Sequence, residues 1–304
     1  MISQFYLFFA ALVVSLLVTF PALWGIRIFK LSQSIREEGP ESHLAKAGTP
    51  TMGGIGFVLT IIAFGLIFID FDLDPRYFAL ILLTFAFAAI GFVDDLLKIV
   101  RRQNLGLTFW QKILSQAMFA LVFVFFLQYI QNSFSLFYLL FSTFVIIGSA
   151  NATNLTDGLN GLLAGCGGIA FLGLAIMANR LGFINAGIFS LVGAGSILAF
   201  LYFNFPKAKV FMGDVGSLAM GAALAGLVVI MKQELLLIVI GGVFVIEALS
   251  VIIQVASFKL FKRRVFKMSP LHHHFELMGI PETKVVVGFW GLAVVLGIIG
   301  VLIM

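Results

Sequence analysis

Charge is scarce in this sequence: Asp, Glu, Lys and Arg make up 11% of its 304 residues. A water-soluble domain keeps about a quarter of its residues charged to solvate its surface. A shortfall of that size excludes a soluble globular protein, a disordered chain and a nucleic-acid-binding module. Cysteine is almost missing. Cys166 stands alone, which excludes an internal disulfide and a cysteine-based metal cage. In its apolar, Gly-rich surroundings it reads as a packing residue. No basic residue precedes the first apolar run and no convincing small-residue cleavage site follows it, so that run reads as a retained span and not a signal peptide. No internal repeat is visible either, which counts against the transporter folds that are built from repeats.

What fills the chain is apolar: 61% of it is hydrophobic, with 35 Phe against 5 Tyr and 3 Trp. A bilayer crossing takes roughly 20 apolar residues. Apolar runs with polar punctuation predict ten spans, near 4–26, 52–69, 77–93, 113–130, 136–150, 161–178, 183–202, 215–231, 235–258 and 285–304. The expected fold is an all-α integral membrane protein, a single polytopic domain over 1–304 with no room for a separate soluble one. The loops alternate between two sides. Loops 27–51, 94–112, 151–160, 203–214 and 259–284 hold sixteen of the Lys and Arg residues, and the opposite side holds Arg76, Arg180 and Lys232. Basic loops mark the cytoplasmic side, so both termini are expected outside. The basic pI records orientation and not a nucleic-acid partner. The cytoplasmic loops are also the long, polar ones, and loops on a rigid scaffold carry function. The active site is therefore expected on the cytoplasmic face.

Candidate chemistry sits in those loops. Asp94 and Asp95 are adjacent carboxylates that repel. On a helix they point about 100° apart and so serve different partners. Lys98, four residues beyond Asp94, can share its face; Mg²⁺ or a cationic neighbour would relieve the repulsion. The plain alternative is a solvated helix end with a local ion pair. The loop from Asn151 to Gly161 is dense in Asn, Thr, Asp and Gly, residue types that turn the chain and let backbone approach a ligand. Asp214 either caps the apolar helix after it or, between glycines, offers a carboxylate to a metal. Asp94, Asp157 and Asp214 come from three separate loops. That suits Mg²⁺, which takes one or two carboxylates plus phosphate and water. The basic run from Lys259 to Lys267 fits a topology determinant touching anionic lipid. His272, His273 and His274 would spread over about 200° of a helix, so hydrogen bonding to phosphate or sugar is expected over shared zinc ligation. The stretch from Lys46 to Gly54 allows a Gly-rich backbone and the hydroxyls of Thr49 and Thr51 to approach an anion. Glu247 and Gln254 share a face of the ninth span; the acid there is either a functional intramembrane group or part of a buried polar pair holding two helices together.

Taken in order, GTPTMGG at 48–54, DDLLK at 94–98, NATNLTDGLNGL at 151–162, FNFPKAKVFMGDVGSLA at 203–219 and PLHHHFELMGIPE at 270–282 resemble the phospho-N-acetylmuramoyl-pentapeptide transferases, over nearly the whole chain. The HHHFE segment separates these from the related N-acetylglucosamine-phosphate transferases, the nearest alternative; a transporter is the alternative of another class. The resemblance implies an Mg²⁺-dependent, multi-pass, homodimeric enzyme of the bacterial inner membrane, acting in peptidoglycan synthesis. Its substrates would be UDP-N-acetylmuramoyl-pentapeptide and undecaprenyl phosphate, its products lipid I and UMP. It implies Asp214 as the main metal ligand and Asp94 as the group on the lipid phosphate, with Asp95 and Lys98 nearby. Asn154, Asp157, Gly158, Leu159, Asn204 and Phe211 would form the nucleotide pocket. Gln254 and His273 would add nucleoside contacts, Lys46 and Thr51 a donor rim, and His272 and His274 belong to the same loop. One departure stands out. The family usually has Asp where this chain has Asn160, so no metal or acid–base role is assigned there.

Overall fold

The structure, a computed structural model, describes residues 4–28, 48–69, 74–101, 103 and 105–303. Lys46 lies outside them. Twelve helices follow one another among the described residues: α1 (Phe5–Ile28), α2 (Gly54–Phe68), α3 (Arg76–Arg101), α4 (Phe109–Ile130), α5 (Leu136–Thr156), α6 (Leu162–Arg180), α7 (Ile184–Asn204), α8 (Gly213–Met231), α9 (Glu234–Ile240), α10 (Gly242–Phe261), α11 (Leu271–Leu277) and α12 (Glu282–Leu302). Nine of them are long and apolar enough to cross a membrane. Exposed Phe9, Leu17 and Trp24 on α1, Leu114 and Val122 on α4, and Ile252 and Leu260 on α10 leave broad apolar faces outward. In water such faces would aggregate; in lipid they are solvated. The protein is an integral membrane protein.

Two expected spans take a different form. The second, read as 52–69, is helical only from Gly54. Residues before it turn, with Met52 left-handed at φ of 68°, and pair with a distant loop: Phe211 N–H donates to Pro50 O at 2.8 Å, Gly53 N–H to Phe211 O at 2.9 Å and Gly54 N–H to Met212 O at 2.9 Å. The ninth, read as 235–258, is broken at Gly241, which ends α9 before α10 begins. Consecutive glycines weaken a helix at that point.

α8 lies at the centre, with nearly every side chain buried. Its run of Gly, Ala and Ser lets α3 and α5 pack closely on it, the small-residue contact by which membrane helices approach. This packing sets three helix ends side by side: the C-terminal turns of α3 and α5 and the first turn of α8. α4 starts beside them. Its Thr108 makes a reciprocal capping box with Gln111, 3.3 Å one way and 3.0 Å the other, which satisfies two free backbone donors and fixes the turn that carries Lys112.

Candidate active site

Asp94 and Asp95 bond different groups. Asp94 Oδ1 accepts the Leu107 N–H at 2.8 Å and its Oδ2 lies 2.6 Å from Lys98 Nζ. Asp95 Oδ2 accepts the Val215 N–H at 3.2 Å, on the first turn of α8. One carboxylate thus holds the loop before α4 and the other holds the start of α8. Gly213 precedes Asp214 with φ of 77°, and a Cβ there would sit 2.5 Å from Asp95 Oδ2. Only glycine takes that backbone turn with a carboxylate against it.

Asp214 gathers the rest. Its Oδ2 is 2.6 Å from Lys112 Nζ and 3.1 Å from Lys98 Nζ. Its Oδ1 accepts from Asn154 Nδ2 at 2.8 Å, and the same amide donates to Ser217 Oγ at 2.9 Å. Carboxylate oxygens of Asp94, Asp95 and Asp214 all lie within 4.8 Å of one another. At that spacing they repel, and the two ammonium groups supply counter-charge. Asp157, at the end of α5, stands close by. Desolvation, then the Asp214 and Asp95 carboxylates, push its carboxyl well above the usual range, against a hydrogen bond from the Gly213 N–H. Clustered carboxylate oxygens with no cysteine among them are a donor set of the hard type that Mg²⁺ takes.

The other expected residues divide between the rim and its supports. Thr51 is buried beside Gly213, and its Oγ1 has no hydrogen-bond partner among the described residues. Phe211 pairs its backbone with Pro50 and Gly53 on either side of Thr51, and its ring is partly exposed. Asn204 is engaged with backbone on both sides: Oδ1 accepts the Gly161 N–H at 2.7 Å and Nδ2 donates to Val210 O at 2.9 Å. Leu159 is buried. Gly158 packs directly on the His272 ring, where a Cβ would meet Nε2.

The three histidines of α11 take three different partners. Buried His272 sets Nδ1 3.1 Å from Glu247 Oε2. His273 Nδ1 is 2.8 Å from Glu276 Oε2. His274 Nδ1 accepts the Lys267 N–H at 3.1 Å. Glu247 therefore ties α10 to α11, the inter-helix polar pairing that was one of its two expected roles, and its partner is His272. Gln254 instead clamps the loop before α11: Oε1 accepts the Val265 and Phe266 N–H groups, each at 3.0 Å, and Nε2 donates to Phe266 O at 2.9 Å. Asn160 joins three loops, with its N–H donated to Glu282 Oε1 at 2.8 Å and its Nδ2 to Pro206 O at 3.2 Å. A carboxylate could not make the second bond.

Lys112, Ser217 and Glu282 were not singled out by sequence reasoning. Lys112 counted there only as a charge that sets orientation, because its partner Asp214 is 102 residues away.

The chain matches the model of glycosyl transferase family 4 over residues 77–232, the stretch from α3 through α8 that builds the carboxylate cluster. It is similar to the phospho-N-acetylmuramoyl-pentapeptide-transferase of Shouchella clausii, 49% identical over 91% of this chain and 90% of the relative. The proteins of the same name from Geobacillus kaustophilus and Bacillus subtilis are 48% and 45% identical over the same shares. With likeness at that level along almost its entire length, this multi-pass protein of the bacterial inner membrane belongs to the phospho-N-acetylmuramoyl-pentapeptide-transferase family.

Proposed function

We propose that the chain transfers phospho-N-acetylmuramoyl-pentapeptide from its UDP-linked donor to undecaprenyl phosphate, giving lipid I and UMP, with Mg²⁺ as cofactor. The observation that carries this reading is the meeting of Asp94, Asp95 and Asp214 with Lys98 and Lys112. They meet at helix ends adjoining the basic loops. A site at such an edge would suit a lipid phosphate arriving from the membrane and a nucleotide arriving from the cytoplasm. The positive-inside asymmetry supports the cytoplasmic placement and two external termini. The continuous core supports one polytopic unit. A homodimer belongs to the same proposal on the family resemblance.

Asp214, flanked by Asp94 and Asp95, would hold Mg²⁺. When bound, the ion neutralises pyrophosphate oxygens and eases the approach of one anion to another. The protein's own groups do the positioning, the larger part of phosphoryl transfer. The lipid phosphate, with a second pKa near ~6, is mostly a dianion at neutral pH. Asp94, fixed by Leu107 and Lys98, orients it and takes any residual proton. An oxygen of that phosphate forms the new bond to the sugar-bearing phosphorus. The bond from this phosphorus to the bridging oxygen breaks, and the electron pair leaves with UMP. Asn154, Asp157, Gly158, Leu159 and Phe211 form the nucleotide side, with the Phe211 ring free to stack on uracil. The family resemblance assigns Lys46 and Thr51 to the donor rim, and His273 to a further contact. Asn204, Gln254 and His274 act through the loops they tie, and His272 through Gly158.

The test uses detergent-solubilised protein, undecaprenyl phosphate, Mg²⁺ and radiolabelled UDP-sugars. Label should enter the lipid from UDP-N-acetylmuramoyl-pentapeptide. Label entering only from UDP-N-acetylglucosamine would assign the chain to the sister activity, and no transfer from either would end the proposal.

A further inference from the structure

Two ammonium groups converge on Asp214 Oδ2, and they are not held alike. Lys98 also lies 2.6 Å from Asp94 and 3.7 Å from Asp95, so it serves all three carboxylates from within α3. Lys112 reaches Asp214 and, at 3.5 Å, the Asn154 amide oxygen. It comes from the first turn of a different helix. Its side chain retains 17% exposure, and Phe109 and Trp110 just before it are exposed. A flexible four-carbon stem with an open side can swing.

We propose that Lys112 is a built-in competitor of the divalent cation at Asp214, which the ion displaces and which then takes up a phosphate oxygen of the substrate. This rests on the reading of Asp214 as the Mg²⁺ ligand. Charge counting favours the exchange. Asp157 is engaged separately by the Gly213 N–H; the three carboxylates that meet, Asp94, Asp95 and Asp214, are balanced by Lys98 and a divalent ion together. With Lys112 also present the cluster carries a surplus positive charge, and like charges at about 4 Å are costly in a half-buried site. Lys98 cannot leave without uncovering Asp94 and Asp95. Lys112 can, and an ammonium released beside the metal is placed to meet an anionic phosphate.

The exchange predicts effects of opposite sign from one substitution. Mn²⁺ serves as probe, with free ion measured by EPR in titrations of the purified full-length protein and Mg²⁺ as competitor. Lys112→Gln should bind Mn²⁺ more tightly, by roughly tenfold, the order expected when a nearby like charge is removed, while transfer activity falls. Lys112→Arg keeps the charge and should bind the ion as wild type does. Lys112→Met, which keeps the alkyl stem, replaces the glutamine variant should that fail to fold. A purely structural lysine predicts weaker or unchanged Mn²⁺ binding on its loss, and that result overturns the competition. Asp214→Asn separates the two ideas: if wild type binds no Mn²⁺, or Asp214→Asn binds it equally well, the metal reading itself falls and the competition with it.

Discussion

A carboxyl group shielded from water and faced by other carboxylates resists ionisation, and Asp157 is in that position. The folded chain holds its proton more tightly than the unfolded chain, whose carboxyl ionises near 3.8. Its contribution to stability is therefore present below that value and is lost as pH rises through the folded-state pKa. Asp157→Asn removes the loss. In Mg²⁺-free buffer the variant and wild type should unfold at similar temperatures in acid, and the variant should gain steadily toward neutral pH. Thermal unfolding across that range checks it; a variant less stable than wild type at neutral pH would mean that the ionised carboxylate is favourably held. The histidines give a second residue-scale expectation. With Glu247, Glu276 and the Lys267 N–H as separate partners, they are expected to act without a shared metal. Activity should survive a zinc-selective chelator with Mg²⁺ present and still fall in His273→Ala. Loss on chelation, restored by zinc alone, would reverse that assignment.

Among the elements, the loop between α10 and α11 takes three of its hydrogen bonds from a single side chain. Gln254→Ala removes three hydrogen bonds to residues 265 and 266, at a cost of about 1–3 kcal/mol. Trypsin should then cut after exposed Arg263 and Arg264 several-fold faster, as limited proteolysis followed by mass spectrometry would show; an unchanged rate would mean that the loop is held unaided by Ser257, whose Oγ donates to Arg263 O at 2.9 Å, and by His274. Most elements were legible beforehand because hydropathy reports what lipid and core both require. The α2 start was not: Met52 and Gly53 continue the apolar run, yet the geometry there is set by Phe211 and Met212, far along the chain. The break at Gly241 was visible as a glycine pair, but apolar composition continues across it. The same limit explains the site. Asp94, Asp157, Asp214 and the histidines stood out as polar residues in an apolar chain. Lys112 looked like any basic loop residue, since its meaning depends on a contact between α4 and α8.

At the scale of the whole molecule, the bundle is organised around one helix whose first turn carries Asp214 and whose flanks are covered throughout. α8 is therefore held like a lever arm, with the proposed metal ligand at one end and its shaft gripped along its length. A lesion on the shaft should be felt at the tip. Ala223 is wholly buried and lies roughly 13 Å along the axis from Asp214 at 1.5 Å per residue. Ala223→Leu overfills its surroundings, at about 1–3 kcal/mol, and should slow turnover more than it raises the KM for either substrate. Unchanged kinetics in a correctly inserted Ala223→Leu protein would show that the grip yields locally. If the lever holds, loss-of-function substitutions should map along the full depth of the membrane on this one helix, and a small molecule wedged against its far end would inhibit without ever touching substrate.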